Sequence, residues 1–208
     1  MARKYFTSPP GPFVHPWINK PDTKFAPAGS AGVYKVGLKL SGAPAEALKE
    51  KVDAECQAAF DAYAEEKGLT PGEKKKWSVY YPYEVLEDDD GTPTGEIVFD
   101  FKQNAELTLK TGEKVRVEIA RKDSKDKDMD PKTPIFGGTT GRIRYSMRPI
   151  PMVSTKQVGV RLDFAAVQVI KMAERSAGGG SFGAVEDDDA YVAGGASDAQ
   201  SFSGDGDY

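Results

Sequence analysis

One stretch of this chain carries the periodicity of a helix, and strand patterns surround it. From Pro44 to Lys67 the residues Leu48, Val52, Cys56, Phe60 and Tyr63 recur every three or four positions. Pro44 suits a first turn and Gly68 a C-terminal stop. Gly32 to Leu40 sets Tyr34, Val36, Leu38 and Leu40 against Lys35, Gly37 and Lys39, which predicts a half-buried strand with two lysines on its outer face. Trp77 to Leu86, Glu96 to Lys102, Lys114 to Arg121, Arg142 to Met147 and Val158 to Met172 also read as strands, separated by turn signals. A small antiparallel barrel with one helix inserted after an early strand is the economical architecture.

Two flanking regions stand apart from that body. Residues 1–30 are rich in Pro, Gly and aromatics and predict an extended arm lying across it. Residues 176–208 read as a disordered acidic tail, with Glu186, Asp187, Asp188, Asp189, Asp198, Asp205 and Asp207 and no Lys or Arg. The expected organisation is therefore a body over 1–175 and a flexible tail over 176–208. The whole chain has 32 acids against 28 bases and a net charge of −4. Setting the seven tail acids aside leaves 25 against the same 28, a mildly basic body. The sequence pI of about 5.2 averages the two and does not argue against a polyanion ligand.

Several chemistries find no support. A single cysteine, Cys56, forbids an intrachain disulfide and fits a small buried residue on the helix stripe. With one histidine, His15, and one cysteine there is no zinc cluster, and no metal or cofactor is expected. Gly137-Gly138-Thr139-Thr140-Gly141 lacks the Lys and the following helix of a phosphate loop and reads as a tight turn. Asp88-Asp89-Asp90-Gly91 lacks the acids that calcium coordination needs at Leu86 and Ile97, and reads as a hairpin turn. No carboxylate pair stands out for acid–base work, so an enzyme is not expected. No stretch approaches the roughly 18 apolar residues of a membrane span, nor is there an apolar signal core, so a soluble intracellular protein is expected.

The chemistry that is present is an interleaving of cations and aromatics along strands. Cations neutralise phosphates and flat rings stack on unpaired bases, the mixture that single-stranded nucleic acid requires. Arg3, Lys4, Lys35, Lys102, Arg116, Arg142, Arg144 and Arg148 are the phosphate candidates. Tyr34, Tyr80, Tyr81, Phe99, Phe101 and Tyr145 are the stacking candidates. The plainer alternative is that such rings fill the core and such cations solvate the outer face. The tail favours the polyanion reading, because a tethered run of acids competes for a cationic groove at high effective concentration. Its tip, Asp205, Asp207 and Tyr208, is a charged, aromatic-ended peptide that a partner's basic, apolar pocket would capture.

In order and spacing the chain resembles the single-stranded DNA-binding proteins of T7-type bacteriophages. The shared pattern runs through Lys4-Tyr5-Phe6-Thr7-Ser8, Asn19-Lys20-Pro21-Asp22, Gly32-Val33-Tyr34-Lys35-Val36, the strand from Phe99 to Lys102, and Asp123-Ser124-Lys125. It continues with Pro134-Ile135-Phe136-Gly137-Gly138, Arg144-Tyr145-Ser146, Gly178-Gly179-Gly180, the acidic run and Tyr191-Val192-Ala193. The resemblance implies an OB-type barrel and a DNA surface using Arg3, Lys4, Lys102, Arg142 and Arg144. It also implies strand annealing in phage replication, recombination and repair, a homodimer with tail contacts, docking of the tail on the phage DNA polymerase and helicase-primase, and action in the cytoplasm of the infected bacterium. Asp100 stands where the family has a lysine, Asn104 where it has an aromatic, Ala31 where it has an arginine, and Tyr208 where it usually has phenylalanine. An RNA-binding module of cold-shock type and an adaptor acting through the tail alone are the alternative functions.

Overall fold

The computed structural model describes residues 3–24, 26–27 and 29–173, so the readings made for residues 176–208 lie outside the described residues. The chain begins with the short strand β1 (Phe6–Thr7), then β2 (Gly11–Asp22) and β3 (Val33–Ser41). Helix α1 (Gly42–Glu66) and the single turn α2 (Pro71–Lys74) follow. Next come β4 (Ser78–Tyr80), β5 (Tyr83–Glu87), β6 (Pro93–Asn104), β7 (Glu106–Thr108), β8 (Lys114–Arg116) and β9 (Ala120–Lys122). The long hairpin of β10 (Thr140–Met152) and β11 (Gln157–Lys171) closes the body.

Five of these strands make the frame. β2 pairs antiparallel with β3, β3 with β6 from Val33↔Asn104 to Ser41↔Glu96, and β10 with β11 from Thr140↔Lys171 to Met152↔Gln157. Two short contacts complete the circuit: Thr140 and Gly141 against Pro12 and Gly11, and Leu162 and Asp163 against Phe101 and Lys102. The result is a mainly β, partly open barrel of OB type with α1 inserted after β3. The sheet is mixed rather than purely antiparallel, because β4, β6 and β9 all run parallel to β11. Alternation tells which face of a strand is buried and is the same for either direction of pairing, so the sequence pattern could not show this.

The inner face is continuous. Val36, Leu38 and Leu40 of β3, Ile97, Phe99 and Phe101 of β6, Ile143 and Tyr145 of β10, and Val158, Val160, Leu162 and Phe164 of β11 are all buried together. Helix α1 packs chiefly on β11 and contributes Ala45, Leu48, Val52, Cys56 and Ala59, while Phe60 and Tyr63 lie half-buried at the margin. Burial pushes the Cys56 thiol up to about 11, consistent with an inert core residue. Emptying the centre of this face, as in Phe101→Ala, costs about 3–5 kcal/mol. The helix stops as its sequence predicts: Gly68 takes φ 61° and donates to the Glu65 carbonyl at 3.0 Å, and Leu69 donates to that of Ala64 at 2.9 Å. At Gly159 a side chain would collide with the Tyr80 carbonyl, so that glycine is what lets β4 lie against β11.

Three predicted segments differ. The proline-rich arm is not merely draped over the body: Gly11–Asp22 is strand β2, paired with β3 and burying Phe13 and Ile18. Its prolines are accommodated by register shifts around Val14 to Trp17, where His15 adopts φ 45°. The segment Trp77 to Leu86 is two strands, β4 and β5, broken at Tyr81 and Pro82. Lys114 to Arg121 likewise divides between β8, paired only with β7, and β9, paired with β11. The two predicted turns form as expected; Asp88 Oδ1 accepts from the backbone of Asp90 at 3.0 Å and of Thr92 at 2.8 Å, and Gly138 sits at φ 85°. No helix among the described residues is long and apolar enough to cross a membrane.

Candidate nucleic-acid interface

The outward positions of the frame strands carry the cations, because the alternate positions are committed to the core. On β3 and β6, Lys35, Lys39, Val98, Asp100 and Lys102 face out opposite Val36, Leu38, Phe99 and Phe101. Together with Val14 and His15 of β2 and Glu84 and Leu86 of β5 they line an open concavity of roughly 660 Å³. Each lysine here already has an acid. Lys35 is ion-paired with Asp22, Lys39 with Glu96 at 2.9 Å, and Lys102 with Asp100 at 3.7 Å. The hydrogen bond from Lys35 holds the Asp22 carboxyl below the usual range. Trp17 of β2, 36% exposed, lies with its ring centroid 5.8 Å from the Lys35 ammonium.

A second concavity, about 270 Å³, opens on β9, β10 and β11, with Thr7 of β1 at its edge. Ile143 and Tyr145 point into the core, which turns Arg142 and Arg144 out to line it. Ala120, Lys122, Ala166, Val167 and Gln168 complete the lining, and Asp126 is its one acid. Lys122 is paired with Asp128 at 2.8 Å, whereas among the described residues neither Arg142 nor Arg144 has an ion-pair partner. The Arg144 guanidinium instead lies 5.0 Å from the ring centroid of Tyr5, a residue 41% exposed. An arginine beside an exposed ring can meet a phosphate while the ring next to it offers a face to a base.

The remaining candidates are distributed elsewhere. Arg3 and Lys4 line a third, smaller concavity with Arg148, whose Nε donates to buried Asp163 at 2.7 Å. Arg161 also donates to Asp163, and its Nη1 reaches Asn104 at 3.0 Å, so the four residues tie β10 and β11 to β6. Arg116 is exposed on β8 and lines a pocket with Tyr34, Pro21 and Ala31. Tyr80 is half-buried on β4, and Tyr81 is exposed, its ring 5.6 Å from that of Tyr83.

Four stacking candidates need correction. Phe99 and Phe101 are fully buried, Tyr145 is 1% exposed and Tyr34 9% exposed, so none presents a face to a base. They lie on the inward parity of strands whose other face is polar, and burial drives the phenol of Tyr145 up to about 12. The exposed rings that lie beside cations are Tyr5 and Trp17, neither singled out from sequence. The signal for Tyr5 was available, since it follows Arg3 and Lys4; the prolines around Trp17 hid the strand that sets it opposite Lys35.

The sequence and fold are similar to those of known proteins. The family model for the single-stranded DNA-binding protein of bacteriophage T7 covers residues 11–172. The single-stranded DNA-binding protein of Escherichia phage T7 is 28% identical over 214 residues, spanning 96% of this chain and 89% of its own. Among solved structures, the crystal structure of gp2.5, a single-stranded DNA-binding protein encoded by bacteriophage T7, superposes with a TM-score of 0.66 at 26% identity, covering 86% of this chain and 97% of that one. The single-stranded DNA-binding protein from bacteriophage Enc34 in complex with ssDNA shares the fold at 12% identity, with a TM-score of 0.54 over 82% of this chain and 88% of that one.

Proposed function

The chain belongs to the family of bacteriophage T7 single-stranded DNA-binding proteins, and from that premise we propose that it binds single-stranded DNA without reading sequence. One observation supports this reading most: Arg142 and Arg144 project from alternate positions of β10 and have no ion-pair partner among the described residues, with the Tyr5 ring against the second. Phosphates neutralised there release counterions, and rings beside them accept any base, since every base has a flat face. Lys35, Lys39 and Lys102, with Trp17, form the second stretch of the track, where phosphates displace the carboxylates that now occupy the lysines. Tyr81 and Arg116, both exposed, are the further candidates.

The same reading extends to non-enzymatic coating and annealing of strands during phage DNA replication, recombination and repair in the host cytoplasm, by a homodimer. Residues 1–175 bind DNA in this account, and residues 176–208 inhibit that binding and dock partners. Glu186, Asp187, Asp188, Asp189, Asp205, Asp207 and Tyr208 would meet cationic, apolar pockets on the phage DNA polymerase and helicase-primase. The test is a salt titration of oligo-dT binding by the full chain and by a chain ended at Arg175. Tighter binding by the shortened chain at low salt, converging on the parent as salt rises, is the expected outcome. Equal or weaker binding at low salt rejects autoinhibition. Competition between deoxy- and ribo-oligonucleotides at fixed salt separates this function from an RNA-binding module, and an adaptor would bind neither.

A further inference from the structure

Strand β2 takes one residue more than its partner between two of its pairings. From Val14 opposite Gly37 to Trp17 opposite Lys35 it advances three positions while β3 advances two. The extra residue makes a bulge, which re-aims a side chain out of the alternation of its strand. His15 lies within it at φ 45°, in the left-handed region that histidine tolerates better than most side chains. Gly37 admits the bulge, since a Cβ there would come within 2.9 Å of Val98 and 3.1 Å of the Val14 Cβ. The His15 residue is exposed, and it lines the open concavity of β3, β5 and β6 together with Lys35, Lys39, Glu84, Asp100 and Lys102.

The charges around His15 are matched almost one for one. Lys35 is held by Asp22, Lys39 by Glu96 and Lys102 by Asp100, which leaves Glu84 as the carboxylate of the lining without a lysine. With a neutral imidazole the balance is three cations against four acids, and an imidazolium makes it four against four. His15 is the single histidine of the chain and has no ion-pair partner among the described residues. Imidazole is the side chain whose charge changes between about pH 5 and 8, so the attraction of this concavity for phosphate varies with pH in that range. Arg142 and Arg144 on β10 keep their charge throughout. We propose that His15 is a phosphate contact of the DNA track, made when its imidazole is protonated, so that a strand bound along β3 and β6 takes up a proton. The proposal rests on the single-stranded DNA reading and adds to the track a contact that, unlike its lysines and arginines, is switched by pH.

The experiment titrates the full chain with fluorescent oligo-dT over a salt series, at about pH 5.5 and at about pH 8, so that imidazole is charged in one series and neutral in the other. Two variants run beside it: His15→Asn, which suits the left-handed backbone without a charge, and His15→Lys, which is charged in both series. The parent is expected to bind roughly threefold more tightly at the lower pH in low salt, with a slope of log affinity against log salt steeper by about 0.7, one single-strand phosphate contact. His15→Asn should lose both differences, and His15→Lys should show the steeper slope at both pH values. The terminal amine and the carboxylates are common to all three proteins, so a pH dependence that survives in His15→Asn belongs to them and overturns the proposal. An equal loss of affinity at both pH values in His15→Asn, with no change of slope, also overturns it, because that marks a ring stacked on a base. A parent that binds equally at both pH values rejects the contact while the DNA reading stands. A parent that binds oligo-dT at neither removes the DNA reading and the contact together.

Discussion

The concavity on β3 and β6 and the one on β10 carry cations in similar number and differ in what most of those cations already hold. On β3 and β6 every outward lysine has a carboxylate within ion-pair distance, so the surface is close to neutral. On β10 Arg142 and Arg144 have none among the described residues. Exposed ion pairs contribute little to stability, so a phosphate displaces the acids of the first surface readily, but it exchanges one anion for another. At Arg142 and Arg144 it replaces only condensed counterions. The lesson is that a count of Lys and Arg misjudges a polyanion surface; the local balance after pairing decides how steeply binding depends on salt.

Breaking the contrast from the arginine side has the largest expected effect. Arg142→Glu with Arg144→Glu should weaken oligo-dT binding at least tenfold at low salt and flatten the salt slope by about 1.4, two single-strand phosphate contacts. Circular dichroism should be unchanged, since both side chains are exposed. Parent-like affinity and slope in the double variant would move the DNA path off β10.

Tyr5→Ala sharpens the comparison by separating ring from charge. Loss of a stacked base should weaken binding roughly fivefold while leaving the salt slope as in the parent, because no phosphate contact is removed. A change of slope with unchanged high-salt affinity would show that the ring only positions Arg144.

The smallest effects belong to the paired surface. Lys102→Glu should weaken binding by no more than about threefold, less than either arginine, because Asp100 already offsets that lysine. Asp100→Asn should do the reverse, tightening binding about twofold and steepening the slope as Lys102 is released. Equal losses for Lys102→Glu and Arg144→Glu would erase the distinction between the two surfaces.

The fold was largely legible in the sequence because its signals are local. The stripe from Leu48 to Cys56 with Gly68 behind it defines α1, and the alternation of Tyr34 to Leu40 and of Ile97 to Phe101 defines β3 and β6. β2 was hidden because prolines at 12, 16 and 21 mimic an arm, and its strand character depends on partners supplied by β3. The site was legible in residue type and only partly in position. Outward cations follow from alternation, so Lys35, Lys102, Arg142 and Arg144 emerge at the surface. Whether a ring is core or platform depends on which face is covered, and Phe99, Phe101 and Tyr145 fell on the covered one. Pairings such as Lys102 with Asp100 and Lys35 with Asp22, and the meeting of Tyr5 with Arg144, arise only once the strands are laid together.

The join between β6 and β11 gives the barrel a seam. Phe101 and Lys102 meet Leu162 and Asp163 there and nowhere else along two long strands, while the hairpin of β10 and β11 is stitched from end to end. Arg161 is the latch, reaching Asn104 beyond the seam while it holds Asp163 within it. Breathing of the barrel should therefore concentrate at this join, and hydrogen exchange at those amides of 101–102 and 162–163 that bond across it should outpace that of amides bonded between β10 and β11. Lys102 sits on the lip of the seam, so a DNA strand that engages it would also staple the barrel shut, and slowed exchange would report occupancy of the track.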